Sequence, residues 1–463
     1  MRGLSIALIV FSTGVYSAKA QDKILPLEEA IRLAGQHYEL LKAKTSYAEA
    51  ALHDINTTRM GRLPDVSFSL QQNFGTLNGL NGLPSGVPGL VTISSGPVAT
   101  SQNWHTAFGA LYISNVDWTI YAFGVQRAKE SLAKNIYGQD TLDLRQTEFL
   151  QQVKVISAYL NLVAARQYRL AMEKNLERTS QLSDNIHART GSGLIAGVDS
   201  SLVNAEMARA RLSLLDAERS EAEQQTQLSI QTGTDIRGYT LDSLFVLRLP
   251  KGIIPEGDTG GAEHPVLQYL KSRVGVSLEQ EKVLRRSNLP RLSLFGALQD
   301  RGSGFGYGYD GNNSDYTHSY WQGISPSRAN YMLGVGLTWN LTSTWKTRSQ
   351  ARSQTLLTEG LRHEYLLEKD QLTDQSLLAD QQMQNAIRQY DQTPIQLQAA
   401  SDAYIQKSAL YNNGLATIVD VTQALYLLNR AEIDRNVANN AVWQSFLLKT
   451  AATEDLQRFF QQL

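Results

Sequence analysis

The chain has 463 residues, no cysteine, and 43 basic against 44 acidic side chains, for a net charge of -1. That balance excludes the basic footprint of a nucleic-acid partner, and the lack of cysteine excludes a disulfide framework, a thiolate metal site, a cysteine nucleophile and a lipid-bearing cysteine. Length alone would allow three domains of roughly 150 residues, but an internal repeat argues for one architecture built from two similar halves.

At the start, Arg2 precedes an apolar run from Leu4 to Phe11 that extends to Val15, and Ala18-Lys19-Ala20 follows before Gln21. A buried N-terminal helix is the alternative, but the short run, the leading charge and the small-residue site predict an export signal over residues 1–20. The first repeat is expected over 21–237, a connector over 238–263 and the second repeat over 264–463. After the signal no apolar run reaches about 20 residues, which excludes an ordinary transmembrane helix but not a β-barrel, whose strands are apolar on one face only.

The repeat is read from motifs about 225 residues apart. Arg62-Leu63-Pro64-Asp65-Val66-Ser67-Phe68 ends a helical stretch and opens a strand, and Asn288-Leu289-Pro290-Arg291-Leu292-Ser293-Leu294 does the same. Val116-Asp117-Trp118-Thr119-Ile120 answers Leu337-Thr338-Trp339-Asn340-Leu341, and Gly193 to Asp199 answers Gly414 to Asp420.

Four segments alternate with period two, the mark of a strand with unlike faces. Val66, Phe68 and Leu70 share one side of the first; Phe108, Ala110, Tyr112, Val116, Trp118 and Ile120 share one side of the second. In the second half Leu292, Leu294 and Leu298 form a third set, and the clearest set runs over Tyr331–Thr342, with Tyr331, Leu333, Val335, Leu337, Trp339 and Leu341 together. Long loops rich in glycine, polar and aromatic residues join each pair, from Thr76 to Thr106 and from Gly302 to Arg328, as on the outer face of outer-membrane barrels. A soluble sandwich would also give such alternation. Four strands cannot close a barrel and lipid does not tolerate an open sheet edge, so closure would have to come from other subunits.

From Gln126 to about Ala188 there is no proline and a single glycine, Gly138; at about 1.5 Å per residue, a helix there would exceed roughly 90 Å. Phe149, Val153, Ile156, Leu160 and Val163 step by four and three, which is heptad spacing. Helices are likewise expected over Lys346–Leu410, with a kink at Pro394, and over Ile418–Arg458, with Val421, Leu425 and Leu428 as a seam. The connector region Gly233–Glu263, with Pro250 and Pro255, has little periodicity.

In the Leu-Pro junctions, the tryptophan-bearing strands and the paired glycine-to-aspartate turns, the chain resembles the TolC-like outer-membrane efflux protein family over essentially its whole mature length. That resemblance implies an α+β membrane protein. It implies a homotrimer whose subunits each give four strands to one twelve-stranded outer-membrane β-barrel, continued by a long periplasmic α-helical coiled-coil barrel, with an equatorial region around the connector. It implies an efflux or type I secretion duct in the outer membrane of a Gram-negative cell, passive, and served by a periplasmic adaptor (membrane fusion) protein and an inner-membrane pump of RND or ABC type. It also implies Trp118 and Trp339 as barrel aromatics and Gly193 and Gly414 as turn residues.

At the periplasmic entrance Asp420 falls where the family has an aspartate ring, while Gln423 stands where a second aspartate would be. Tyr411 matches a tyrosine that bonds an aspartate of the other repeat, here Asp199, and Ala416 replaces an arginine that helps hold the gate. A ring of carboxylates at a narrow mouth would attract cations. The alternative is that Asp199 and Asp420 are helix N-terminal residues favoured by the dipole.

Two other function classes fit the residues less well. For an enzyme, no histidine pair has metal-ligand spacing, and His363-Glu364 lacks the second histidine of a zinc-protease helix. Gly302 to Gly308 is not followed by the helix a phosphate cradle needs, and Asp310–Asp315 lacks the sixth-position glycine of a calcium loop. No cofactor is expected. A structural periplasmic coiled coil or adhesin would account for the helices but not for the strands.

Overall fold

The structure is a computed structural model that describes residues 23–79, 101–242, 244–250 and 264–462. The export signal, the middle of the first inter-strand loop and connector residues 251–263 lie outside the described residues.

In chain order the elements are β1 (Lys23–Leu25), α1 (Leu27–His37), α2 (Glu39–Met60), β2 (Asp65–Thr76), β3 (Thr106–Tyr121), α3 (Val125–Gly191), α4 (Gly197–Thr232), β4 (Tyr239–Leu241) and α5 (Leu244–Leu247). There follow α6 (Pro265–Ser287), β5 (Arg291–Ser303), α7 (Tyr320–Ile324), β6 (Arg328–Thr338), α8 (Ser343–Asn412), α9 (Ile418–Ala452) and α10 (Leu456–Phe460). The chain divides into two compact units. One comprises Met1–Ala48, Asp140–Lys271 and His363–Leu463; the other comprises Glu49–Gln139 and Ser272–Arg362.

The second unit holds an antiparallel sheet in the order β2-β3-β5-β6. Its register puts Val66 opposite Val116, Val116 opposite Gly296 and Gly296 opposite Leu333, while Trp118, Leu294 and Val335 make the next such row. Because side chains alternate, these rows collect the apolar residues of all four strands on one face. In a soluble protein a second layer would bury that face. Here it is largely open, with Phe68 69%, Leu333 73% and Leu337 67% exposed. Among the described residues only α7 lies against it, toward the loop end, where the Tyr112 hydroxyl donates to the Ile324 carbonyl at 3.0 Å and Phe108 meets Tyr320 edge-on.

Each Leu-Pro junction is tied to a tryptophan. The Trp118 indole N–H donates to the Arg62 carbonyl at 2.8 Å, and Trp339 donates to the Asn288 carbonyl at 3.0 Å. Both carbonyls belong to residues two before the proline, at helix C-terminal ends that would otherwise lack partners. The last strand is shorter than its alternation suggests. It ends at Thr338, because Trp339 is drawn to Asn288 while the Asn340 side chain accepts from the Ser343 amide at 3.2 Å and opens α8.

The first unit is built on a core of Tyr159, Phe245, Trp443, Phe446 and Phe459, with Leu25, Ile156 and Leu160 packed among them. Burying each of these large side chains contributes on the order of 2 kcal/mol. Residues 238–250 were expected to be irregular connector, yet β4 pairs in parallel with β1 and Phe245 of α5 enters this core. Tyr159 fastens the arrangement: its hydroxyl donates to the Leu25 carbonyl at 2.8 Å and accepts from the Asp242 amide at 3.1 Å. Burial pushes this phenol up to about 12.

For the helices, the expected end of the last one is corrected. Pro394 lies inside α8 without ending it; the Tyr390 carbonyl, deprived of the proline N–H, accepts from the Thr393 hydroxyl at 2.8 Å. The final helix does not run to Arg458. It stops at Ala452, Glu454 takes a left-handed backbone at φ 63°, and the Asp455 side chain caps a separate α10.

Between α8 and α9, Lys449 is 2% exposed, with its ammonium 2.9 Å from both the Asp380 carboxylate and the Ser376 hydroxyl. Removing one member of a buried pair strands the other charge, at a cost of roughly 3–5 kcal/mol. Lys449→Met should therefore lower the apparent melting temperature in detergent clearly, and Lys449→Met with Asp380→Leu should recover most of the loss. Equal melting of the single and double variants would contradict this account.

Candidate functional site

The candidate entrance residues all fall in the first unit, at two helix turns. Five residues join α3 to α4 (Ser192–Ala196), and five join α8 to α9 (Asn413–Thr417). Each turn uses a glycine in the left-handed region, Gly193 at φ 71° and Gly414 at φ 74°. In the first, the Gly193 amide donates to Thr190 and the Leu194 amide to Arg189, both at 3.0 Å; in the second, Gly414 donates to Tyr411 and Leu415 to Leu410 at 3.0 and 2.9 Å. This double closure ends both helices in the same way, and a residue with a Cβ would be strained at either glycine.

The two turns meet through a small apolar cluster of Ile186, Val203, Tyr411, Ile418 and Val421, with Ile195 and Ala416 packed at its border. At position 416 the side chain is thus a packing group. Within this setting the Tyr411 hydroxyl donates to the Asp199 carboxylate at 3.2 Å, joining the end of α8 to the start of α4. The Arg189 guanidinium stands over the Tyr411 ring, 5.3 Å from its centroid. Desolvation and the facing Asp199 carboxylate raise the Tyr411 phenol above its ordinary value, so it donates at any physiological pH.

Asp420 is engaged from three sides. Its carboxylate accepts from the Thr417 amide at 2.9 Å, the Thr417 hydroxyl at 2.7 Å and the Lys407 ammonium at 3.1 Å, while its own amide meets the Thr417 hydroxyl at 3.3 Å. The reciprocal contacts with Thr417 form a capping box at the start of α9. The backbone donor first, then the hydroxyl and Lys407, hold this carboxyl down to about 2. Asp199 occupies the corresponding place in α4, but there Ala196 is the cap and supplies no side-chain bond. Gln423 is exposed, three residues beyond Asp420.

Sequence reasoning missed three contributors. The Thr417-x-x-Asp420 spacing is itself a cap signature and could have been read. Lys407 and Arg189 carry no local signal, since their partners stand on other helices. A further link away from the turns is a two-pronged pair between Arg178 of α3 and Glu432 of α9, at 2.9 and 2.7 Å. Trp118 and Trp339 belong to the other unit and serve the junctions described above. Among the described residues, no group of three or more histidine, aspartate or glutamate side chains could hold a metal ion.

Since Asp420 has a depressed carboxyl, its contacts stabilise the turn fully above 3.8 and are lost as pH falls toward about 2. Hydrogen-exchange mass spectrometry should show protection around Thr417–Val421 declining over that window once intrinsic rates are corrected. In Asp420→Asn the protection should stay near the low-pH level of the natural protein and be nearly independent of pH.

No protein-family model matches the sequence, and no curated protein matches it. Solved structures do. The Campylobacter jejuni CmeC outer membrane channel is 15% identical, with 98% of this chain and 94% of that one covered and a TM-score of 0.72. CusC, described in terms of transmembrane channel formation, is 13% identical over 92% of this chain and 91% of that one, with a TM-score of 0.73. The Neisseria gonorrhoeae MtrE outer membrane channel, solved in its open state, is 14% identical over 95% of this chain and 93% of that one, with a TM-score of 0.69. Over 92–98% of its length the chain has the fold of these outer-membrane channels.

Proposed function

We propose that this protein is the outer-membrane channel of a tripartite efflux or type I secretion system, a passive exit duct from periplasm to exterior in a Gram-negative cell. The observation that carries the reading is the uncovered apolar face of the β2-β3-β5-β6 sheet, whose outer strands β2 and β6 end the ladder on either side. No described helix is long and apolar enough to cross a membrane; on this reading the strands, with their uncovered apolar face, are the membrane-spanning part.

Lipid offers no partner to a free strand edge, so three copies close a twelve-stranded barrel by pairing β6 of each with β2 of the next. The two halves of the chain, 21–237 and 264–463, are structural repeats. They flank a connector over 238–263 in the equatorial region, and the long helices form the periplasmic barrel. The likeness to channels of this fold supports the same plan.

On this reading the paired turns are the periplasmic entrance. Tyr411, Asp199 and Arg189 form its lock, Arg189 standing in for the arginine that Ala416 replaces. Asp420 contributes negative charge at the mouth, partly offset by Lys407, and Gln423 adds none. Leu194 and Leu415, which follow the turn glycines, are 72% and 74% exposed; such leucines support contact with a periplasmic adaptor, through which an inner-membrane RND or ABC pump acts. The protein does no chemistry of its own and uses no cofactor.

Planar-bilayer recording of the detergent-purified protein tests the proposal. The natural protein should give small, cation-preferring steps. Tyr411→Phe should raise conductance, Lys407→Gln should increase cation preference, and Asp420→Asn should reduce it. A folded protein that stays soluble without detergent and never inserts would instead be a periplasmic coiled coil or adhesin.

A further inference from the structure

The polar face of the sheet separates its charges by sign and position. At the helix end of the strands Asp65 stands opposite Asp117, with Arg291 at the start of β5. At the loop end the charged residues of this face are Arg301 of β5 and Arg328 of β6, paired directly across the ladder. Like charges set opposite each other in a sheet destabilise it, and among the described residues neither guanidinium makes an ion pair. The nearest carboxylate in sequence, Asp300, projects to the opposite face, where its register partners are Tyr112 and Ala329.

Of the two, Arg328 is held in place by an aromatic neighbour. Arg328 lies over the Tyr307 ring, 4.1 Å from the centroid, and its Nε donates to the Tyr307 hydroxyl at 3.1 Å. One step along the face toward the helix end, Gln299 of β5 and Asn330 of β6 form the next registered row and add amide donors. Ring and hydroxyl fix the Arg328 plane, and among the described residues the outer N–H groups of both forks make no hydrogen bond.

We propose that Arg301 and Arg328 form a binding site for the oxyanion of a solute, a phosphate or carboxylate group, that relieves their mutual repulsion. Two guanidinium forks suit the planar, two-pronged recognition of such groups. The site belongs to each subunit; that it lines the outer mouth of the duct rests on the proposed channel function. Three copies around the exit would favour anionic cargo as it leaves, in contrast to the acidic residues at the other end of the same face.

The test uses full-length protein in phosphatidylcholine nanodiscs at low salt, with inorganic tripolyphosphate as the probe and calorimetric titration as the readout. Arg301→Gln with Arg328→Gln should weaken binding at least about tenfold, as loss of charge-assisted bonds requires. Arg301→Lys with Arg328→Lys keeps the charge but loses the forks and should fall between. Equal binding by the glutamine variant and the natural protein would overturn the site, as would no binding by a natural protein shown to be folded.

Discs containing lipopolysaccharide separate the two sources of phosphate. Unchanged tripolyphosphate binding supports a solute site turned away from lipid; competition that disappears in the glutamine variant would overturn that assignment in favour of a lipid headgroup. In planar bilayers, tripolyphosphate on the loop side should reduce current through the natural protein but not through the glutamine variant. A protein that binds tripolyphosphate in discs and never conducts would refute the channel reading while leaving the anion site standing.

Discussion

An antiparallel sheet of four strands leaves two rows of backbone donors and acceptors without partners, one along β2 and one along β6. In water such edges are a hazard that solvation makes tolerable; in hydrocarbon they are not tolerable at all. The apolar face between them makes water the wrong solvent, with a row such as Val66, Val116, Gly296 and Leu333 running from one edge to the other. On the proposed reading, lipid meets the face and further copies of the chain meet the edges. The proposed trimer does both with one arrangement.

The helices meet a different constraint. Narrow apolar stripes cannot build a wide core, and the first unit concentrates its large aromatic residues where β1, β4 and α5 gather around Tyr159 and Trp443. Elsewhere polar bonds set the register, as in Arg178 with Glu432 and Lys449 with Asp380. At the turns the cluster around Tyr411 is small, so individual hydrogen bonds and charges weigh more there than in the main core. The entrance proposed at these turns, if it is to open and close, needs this kind of modest, divisible stabilisation.

Much of this was legible in the sequence because period and punctuation are local. Alternation over Val66–Leu70 and Tyr331–Leu337 identified strands, and the two glycine turns and Leu-Pro junctions located the ends of helices. The pattern misled where a side chain took over from the backbone: alternation persists through Trp339 and Leu341, but the indole bond to Asn288 and the Asn340 cap had already ended the strand. It was silent wherever partners are distant in sequence. Nothing local joins Lys407 to Asp420 across a turn, Arg189 to Tyr411, or Trp118 to Arg62. The short β4 and α5 escaped notice because three or four residues are too few to show a period.

The two five-residue turns carry a consequence for how this chain can vary. Each fixes the rotational phase between the helix that enters and the helix that leaves, since successive helical residues are offset by about 100°. One residue gained or lost between Gly193 and Asp199 would swing Asp199 away from the Tyr411 hydroxyl while leaving every amino acid of the lock in place. Insertions and deletions at these turns are therefore constrained more tightly than substitutions, and the length of each turn is as much a part of the proposed entrance as any side chain in it.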